Sequence, residues 1–362
     1  MSRARDGRPD WADPRRGEWQ AALADRAREA VPAPMWAYLE SGAREGTTCS
    51  EATAAWHKVR LWPHVLSGGG APSVGTTLLG APVRTPIGVA PTSMQRVVHP
   101  DGELAMAAGA AAAGAVHVVS SNAGHLFADI GAAAREVDPD AVWWLQAYLP
   151  PTREDAAPVL RAAADAGARA VALTVDTPFP GTKYAPAESD WDGIDLSWHR
   201  ANFSDPAASR HHRGLRPDDL TWVGATCGLP VVVKGVLRAD DARRCIDAGA
   251  SAVWVSNHVV RQLDRAVSTA AALLPVVDAV GPAAEVYVDG GVRSGLDALT
   301  ALALGARAVL VGRPALHALA TDGAPGVAGL LDTLTEELVE ALELAGCRLP
   351  EDARTLVAPP DL

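Results

Sequence analysis

The sequence contains little cysteine, and this shortage excludes two kinds of site. Its 362 residues include four cysteines, which are far apart and form no CxxC pair. A disulfide framework and a zinc site are therefore not expected, and we predict no bound metal. The composition is typical of a reduced, intracellular protein, so we predict a cytoplasmic location.

The sequence also lacks a long hydrophobic run and an excess of positive charge. Its most apolar stretch, residues 104–119, is mainly alanine and glycine and is too short and too weakly hydrophobic to span a membrane. The basic N-terminus has no apolar segment behind it, so no signal peptide is expected. The net charge of −11 argues against general binding to nucleic acid or anionic membranes, because phosphate binding needs clustered positive charge.

From about residue 85 the sequence alternates apolar, strand-like runs with alanine-rich helical segments. The runs are TPIGVAPTS, AVHVVSSN, VWWLQAYL, RAVALTVDTP, PVVVKGV, SAVWVSNH, EVYVDGG and AVLVGRP. This alternation predicts an α/β protein with right-handed βαβ units and a parallel sheet covered on both faces. Eight such units favour a closed (β/α)8 TIM barrel over an open doubly wound sheet, and no GxGxxG motif follows the first strand.

The pattern also predicts how the chain is divided. We assign residues 1–30 to a polar, flexible N-terminus, residues 31–350 to a single barrel domain and residues 351–362 to a C-terminal tail. The segment up to about residue 84 is expected to be a helical lead-in. Residues 181–218 follow the fourth strand, are rich in Pro, Asp, Ser and Trp, and are expected to form a lid-like loop.

Nearly every predicted strand ends in a hydrogen-bonding or ionisable side chain. These residues include Thr92, Ser93, Ser120, Asn122, Gln146, Tyr148, Thr174, Asp176, Lys234, His258, Arg261, Asp289, Arg293 and Arg313. Active sites of (β/α)8 barrels lie at the C-terminal ends of the strands. This many polar strand ends on one rim therefore favour an active site over the alternative that His258 merely caps its strand.

The last two strands end in the turns DGGVRSG and VGRP, at the place where such barrels commonly bind phosphate. Gly291 and Gly312 would let backbone N–H groups approach an anion, and Arg293 and Arg313 could bridge it. The alternative is a pair of tight turns with solvated arginines. We favour the phosphate site because two such turns would lie side by side.

Three further residues can be interpreted from their neighbours. Lys234 lies within the apolar strand PVVVKGV, where an unpaired ammonium is costly, so it should face an anion or a polar cavity. His211 and His212 form the pair in RHHR but have no carboxylate beside them. We therefore interpret them as loop residues rather than metal ligands.

Taken in order, these motifs resemble those of the FMN-dependent α-hydroxy-acid oxidases and dehydrogenases, the family of glycolate oxidase, lactate oxidase and mandelate dehydrogenase. The resemblance extends from about residue 31 to 350 and rests on PIGVAPTSMQ, HPDGE, LTVDTP, VVVKGV, VSNHxxRQLD, DGGVRSG, ALALGA and VGRP. It implies non-covalently bound FMN, a 2-hydroxy acid as small-molecule substrate, and O2 or another electron acceptor. It also implies a homo-oligomer, a tetramer or larger.

The resemblance assigns a role to each site residue. His258 would be the base, Asp176 would stabilise its protonated form, and Lys234 would favour the reduced flavin. FMN would be contacted by Pro91, Thr92, Ser93, Ser120, Gln146, Thr174, Lys234 and Ser256, and its phosphate end by Asp289, Gly291, Arg293, Gly312 and Arg313. Arg261 would hold the substrate carboxylate with Tyr38 and the catalytic Tyr148, and Lys183 and Asn122 would complete the substrate pocket.

Three departures from the family pattern concern the substrate. Val259 and Val260 follow the histidine where the family usually has Gly and a small residue. Lys183 stands where a second substrate-binding arginine is usual, and Asn122 stands where the side chain is often aromatic or small. We expect Val259 to have a negative φ, because a β-branched residue at positive φ is an outlier. These departures predict an atypical or bulky 2-hydroxy acid rather than glycolate or lactate.

Two alternatives remain at the level of sequence. One is a different FMN-dependent oxidase or isomerase of specialised metabolism on the same barrel. The other is a flavin-binding protein without catalysis. The presence of Tyr38, Tyr148, Asp176 and His258 together disfavours the second.

Overall fold

The computed structural model describes residues 16–68, 70–184, 193–205 and 211–357. The first part of the chain consists of three helices and a hairpin. The helices are α1 (Arg16–Ala30), α2 (Ala33–Glu40) and α3 (Thr47–His57), and the hairpin strands are β1 (Thr76–Leu78) and β2 (Ala81–Val83).

Alternating strands and helices make up the rest. The strands are β3 (Ile87–Val89), β4 (His117–Ser120), β5 (Trp143–Ala147), β6 (Val171–Thr174), β7 (Val231–Val236), β8 (Ala252–Val255), β9 (Glu285–Asp289) and β10 (Ala308–Val311). The helices are α4 (Gln95–Val98), α5 (Gly102–Ala113), α6 (Phe127–Val137), α7 (Ala157–Asp165), α8 (Pro217–Cys227), α9 (Ala239–Asp247), α10 (Thr269–Val280), α11 (Gly295–Ala303) and α12 (Arg313–Leu344). Within the described ranges no helix is long and apolar enough to cross a membrane.

Strands β3 to β10 pair in parallel and close into a barrel in the order β10-β3-β4-β5-β6-β7-β8-β9. The prediction of a (β/α)8 barrel is therefore confirmed. The interior below the C-terminal ends of the strands is filled by large aromatic side chains, among them Trp144, Trp254 and Tyr287, each fully buried. The middle of the barrel is consequently a packed core, and its C-terminal end is available for a site.

The β1–β2 hairpin closes the N-terminal end of the barrel. Leu78 and Val83 belong to the same buried cluster as the interior aromatic residues, and the Glu285 carboxylate accepts a hydrogen bond from the backbone N–H of Leu79 at 3.2 Å. The connection Leu79–Gly80 has positive φ at both residues, which suits a tight two-residue hairpin turn. The lead-in that the sequence predicted to be helical up to residue 84 thus ends in strands.

Both ends of the described chain pack onto the barrel. Residues 16–30, which composition assigned to a flexible N-terminus, form α1, because Leu23 and Ala27 lie one turn apart and bury one face against α12. The tail that we separated at residue 351 continues as a 3-10 turn, Pro350–Thr355, with Leu356 buried. Residues 1–15 and 358–362 lie outside the described residues.

The segment predicted to be a lid is described at residues 181–184, 193–205 and 211–218, and the remainder lies outside the described residues. Its central part is fastened to the loop between β4 and α6. Ala201 N donates to Ala123 O at 3.0 Å, and the Asn202 side chain bonds to His125 O and Phe127 N. These contacts place the segment over the C-terminal end of the barrel.

Candidate active site

A cavity of about 310 Å³ opens at the C-terminal end of the barrel. Of the residues that the sequence assigned to the site, those that line it are Tyr38, Pro91, Thr92, Ser93, Ser120, Asn122, Gln146, Tyr148, Thr174, Lys183, Lys234, His258, Arg261, Asp289, Gly291, Arg293, Gly312 and Arg313. Asp176 and Ser256 do not line it, and each instead hydrogen-bonds a residue that does. The sequence thus predicted one contiguous site.

Lys234 is buried and paired in the floor of this cavity. Its Nζ donates to Ser256 Oγ at 2.7 Å and lies 3.1 Å from Asp289 Oδ2, with the Trp254 ring centroid 5.2 Å away. The other oxygen of Asp289 is buried without a hydrogen-bond partner among the described residues. The sequence placed Asp289 with the phosphate-binding residues, but a carboxylate only accepts hydrogen bonds, so here it suits a hydroxyl group of a ligand rather than a phosphate.

The two predicted phosphate-binding arginines lie together where β9 and β10 end. Burial and the charge of Arg313 lower the pKa of Arg293 to about 10. Arg313 lies 3.7 Å from Glu40 and donates to Cys49 Sγ at 3.2 Å. Burial raises the pKa of Glu40, but the His317 hydrogen bond and the two arginines outweigh this effect and lower it overall. Asp297 also acts on Arg293, but among the described residues only Glu40 has a carboxylate oxygen within 4 Å of either guanidinium group, so donors remain for a ligand anion.

The two glycines assigned to this region have different surroundings. Gly291 has a φ of +86, and a Cβ there would lie 2.3 Å from the carbonyl oxygen of Ala52 in α3. Its lack of a side chain is therefore required by helix packing as well as by any ligand. A Cβ on Gly312 would meet no described atom closer than 3.9 Å, so this glycine faces open space beside Arg313.

These residues fit the FMN that the resemblance implies. The strand ends offer a linked amide and hydroxyl, because Gln146 Nε2 donates to Thr174 Oγ1 at 2.9 Å. Asp289 has a buried acceptor without a partner, and the two arginines supply an anion site at the other end of the cavity. A dinucleotide or a metal ion is not needed to explain any of them.

His258 and Asp176 form the central hydrogen bond of the substrate side, with Nδ1 and Oδ1 3.1 Å apart. Burial raises the pKa of Asp176, but His258, Lys234 and the Thr177 hydroxyl outweigh this and lower it overall. An ionised carboxylate accepts only, so Nδ1 must hold the proton and Nε2 is left as an acceptor. The pair is close because Gly235, at a φ of +109, leaves room: a Cβ there would lie 2.7 Å from Asp176 Cγ.

The turn after His258 contradicts one expectation. Val259 has a φ of +49 and a ψ of 38, and His258 also has a positive φ, of 56. The prediction of a negative φ at Val259 is therefore wrong. The turn is fixed on both sides, by His258 N donating to Ser256 Oγ and by Arg261 N donating to His258 O, each at 3.1 Å. The backbone of Val259 is therefore held in the left-handed conformation, which strains a β-branched residue.

Arg261 is held so that one edge of its guanidinium remains available. Its Nη1 donates to the backbone oxygens of Tyr38 and Ser41 at 2.8 and 3.1 Å, and its Cζ lies 4.3 Å from the Tyr38 ring centroid. Its Nη2 is buried without a partner in the described part of the chain. Lys183 lies on the same side of the cavity, and burial together with the charge of Arg261 lowers its pKa to about 8.

Tyr148 contacts His211, which the sequence analysis interpreted as a loop residue. Its ring stacks on His211 at a centroid distance of 4.1 Å, and His211 Nδ1 lies 2.9 Å from the carbonyl oxygen of Thr177. Burial and the neighbouring Asp176 raise the pKa of Tyr148. No group of histidine, cysteine and acidic side chains within the described ranges is arranged to hold a metal. His211 is thus part of the cavity wall, whereas His212 does not line it.

The cavity also contains residues that the sequence analysis missed. His199 and Arg200 line it from the segment predicted as a lid, and Arg200 Nε donates to Asn122 Oδ1 at 3.3 Å. Burial lowers the pKa of His199 to about 4, and its Nε2 is buried without a described partner. These residues come from a long loop without regular periodicity, so no strand-end pattern could have indicated them.

Known proteins share this architecture and sequence. The sequence model of the FMN-dependent dehydrogenase family matches residues 27–358. The chain is 37% identical over 335 residues to a peroxisomal (S)-2-hydroxy-acid oxidase of Oryza sativa subsp. japonica, which covers 89% of this chain and 90% of that protein. It is 36% identical over 348 residues to the glycolate oxidase of Spinacia oleracea, with 92% and 93% covered.

A solved structure of a known protein is similar to this chain over nearly its whole length. A crystal structure of mandelate oxidase with (S)-2-phenylpropionate superposes with a TM-score of 0.85 at 36% identity, covering 93% of this chain and 97% of that one. The similarity therefore extends over the whole barrel and its lead-in. The chain belongs to the FMN-dependent dehydrogenase family, and is an FMN-dependent oxidoreductase that acts on the CH–OH group of 2-hydroxy acids.

Proposed function

We propose that the protein oxidises an atypical 2-hydroxy acid to the 2-oxo acid, with His258 as the base and Arg261 as the carboxylate clamp. The observation that supports this most directly is the pairing of Asp176 with His258 Nδ1, which leaves Nε2 as a proton acceptor on the cavity wall. The buried, unpartnered Nη2 of Arg261 supplies a donor on the same wall.

The residues divide the work of the reaction. Arg261 and Lys183 bind and orient the substrate carboxylate, and His258 Nε2 takes a proton from the hydroxy acid. Asp176 stabilises the resulting imidazolium, and Tyr148 and Tyr38 border the same space. Bound FMN supplies the two-electron acceptor that no side chain provides. Lys234, bonded to Ser256 and paired with Asp289 in the cavity floor, would supply positive charge to the reduced flavin.

Two features support a substrate other than glycolate or lactate. The Val259 side chain lines the cavity beside the base, and Lys183 replaces a planar guanidinium by a point charge. We also propose a homo-oligomer, O2 or another acceptor as the oxidant, and a cytoplasmic location, each on the basis of family resemblance or composition.

The first prediction concerns the cofactor. The protein should purify yellow, and Arg313→Gln should weaken FMN binding by roughly 10–100-fold, the equivalent of one charged hydrogen bond. Fluorescence titration of the apoprotein with FMN measures this. Arg307→Gln is the matched control. Arg307 precedes β10 at its N-terminal end, whereas Arg313 follows its C-terminal end, and Arg307 pairs with Glu351. Equal losses in both variants would count against a phosphate site at Arg313.

The second prediction concerns the base. His258→Asn should leave the flavin spectrum nearly unchanged and slow anaerobic flavin reduction by ~100-fold or more, the usual contribution of a positioned base. His212→Asn, outside the cavity, should reduce at the wild-type rate. Wild-type rates in His258→Asn would assign the base elsewhere. A yellow protein that no hydroxy acid bleaches would favour another FMN-dependent reaction.

The third prediction concerns pH. The Lys183 ammonium is protonated below its pKa of about 8 and neutral above it. The substrate dissociation constant from anaerobic flavin reduction should therefore rise as the pH increases through about 8, because one of two positive charges is lost. Lys183→Arg should bind more tightly and remain unaffected over this range. An identical alkaline rise in Lys183→Arg would attribute it to another group.

The fourth prediction concerns the strained turn. Val259→Gly should raise the melting temperature of the holoprotein, since left-handed backbone costs a residue with a Cβ about 1–2 kcal/mol. It should also widen acceptance toward ordinary small or aryl 2-hydroxy acids. Val259→Ala separates the two effects, because it removes the isopropyl group but retains a Cβ. A melting temperature that does not rise in Val259→Gly would show that the turn stores no strain.

A further inference from the structure

The wall of the cavity opposite Arg261 is positively charged. In the closed order of the barrel, three strands separate β4 from β8 in either direction. Asn122 follows β4 and Arg261 follows β8, so the two residues border opposite sides of the mouth. Arg200 bonds to Asn122 and therefore lies on the side away from the carboxylate clamp.

Only one of the three guanidinium nitrogens of Arg200 has a hydrogen-bond acceptor among the described residues. Its Nε donates to Asn122 Oδ1, and among the described residues its Nη atoms have no acceptor and no carboxylate lies within 4 Å. Glu103, whose charge acts on the neighbouring His199, is already bonded to Gly124 N and His125 Nδ1 at 3.1 and 2.9 Å. A half-buried guanidinium that has no counter-ion in the described part of the chain is a donor pair suited to a planar anion.

The segment that presents Arg200 is fixed, and its conformation has a cost. Arg200 has a φ of +67, in the left-handed region that non-glycine residues rarely adopt. The residues on either side hold it there: Trp198 packs over Gly124, with Arg96 5.0 Å from its ring, and Ala201 N donates to Ala123 O. The side chain is therefore directed by backbone contacts rather than free to turn into solvent.

A neighbouring polar atom points to the same ligand. His199 Nε2 is buried in this wall without a described partner, although a buried polar nitrogen normally has one. Asn122 completes the set, because its oxygen faces Arg200 and its amide N–H groups remain as donors. Arg200 and Asn122, together with His199 in the tautomer that has its proton on Nε2, offer several donors to one anionic group on the side of the cavity opposite Arg261.

We propose that the substrate is a 2-hydroxy acid with a second carboxylate at the far end of its side chain, which Arg200, Asn122 and His199 bind. This inference rests on the proposed function, since Arg261 must hold the first carboxylate. It accounts for the Arg200 Nη atoms and the His199 Nε2 atom, which have no partner among the described residues, and for Asn122 at a position where an aromatic or small residue is usual. Arg200 is then the residue that selects the substrate.

The test compares acids that differ only at the far end. Malate, 2-hydroxyglutarate and 2-hydroxyadipate, both enantiomers of each, are assayed by anaerobic flavin reduction against 2-hydroxybutanoate, 2-hydroxypentanoate and 2-hydroxyhexanoate. We expect at least one dicarboxylate to exceed its monocarboxylate partner by ~10-fold or more in the rate constant divided by the dissociation constant. Arg200→Gln should abolish that ratio and leave the monocarboxylate values nearly unchanged.

Arg213→Gln is the matched control, because Arg213 lies in the same segment but does not line the cavity and instead stacks on Phe179 at 5.3 Å. It should keep the wild-type ratio. Equal loss for both acid series in Arg200→Gln would overturn the inference, since Arg200 would then serve the shared carboxylate. Equal use of both series by the wild type would overturn it too.

A binding measurement separates this inference from the proposed function. Succinate, glutarate and adipate are titrated into the oxidised holoprotein against butanoate, pentanoate and hexanoate, with the flavin absorbance as the signal. Tighter binding of a dicarboxylate that depends on Arg200 supports the second anion site even if no hydroxy acid reduces the flavin, in which case the proposed function alone fails. Dicarboxylate binding that is unchanged in Arg200→Gln refutes the site.

Discussion

The closure of eight parallel strands into one ring is the constraint on which the rest of the structure depends. Because the strands run in one direction, their C-terminal ends meet at one rim, and residues remote in sequence such as Asn122 and Arg261 share one cavity. The other rim is blocked by the β1–β2 hairpin and the interior aromatic side chains. Polar groups can therefore concentrate at one end while the other end supplies the core.

Charge is distributed very unevenly between this rim and the remaining surface. The chain has a net charge of −11, yet the cavity is lined by more cations than acids. The cations are Lys183, Arg200, Lys234, Arg261, Arg293 and Arg313, and the lining acid is Asp289. Burying unpaired cations is costly, so such a cavity is stable only with anions in it or close by. Asp289 pairs with Lys234 and Glu40 lies beside Arg313, and the proposed phosphate and carboxylate groups of the ligands would balance the remaining arginines.

The sequence predicted the barrel and most of the cavity because both depend on local patterns. Apolar runs fix the strands. Residues at or near the C-terminal end of a strand, such as His258 and Lys234, therefore lie at this end of the barrel regardless of the loop conformations. The conformation of Val259 was not predictable in this way. Its φ is imposed by hydrogen bonds on either side of the turn, and these override the local preference of a β-branched residue. Arg200 and His199 were missed for a related reason, since contacts with the β4–α6 loop position them.

The arrangement of cations in this chain explains how one scaffold can take a different acid. In the proposed function Arg261 supplies the fork for the reacting carboxylate, and its backbone partners fix it against Tyr38. Lys183 would weaken that clamp, because burial and the charge of Arg261 lower its pKa and make its ammonium easier to neutralise. Arg200 adds a guanidinium on the opposite wall. In the proposed binding mode, binding energy would shift from the reacting end of the substrate toward its far end, where it would select among substrates without altering the geometry of the base.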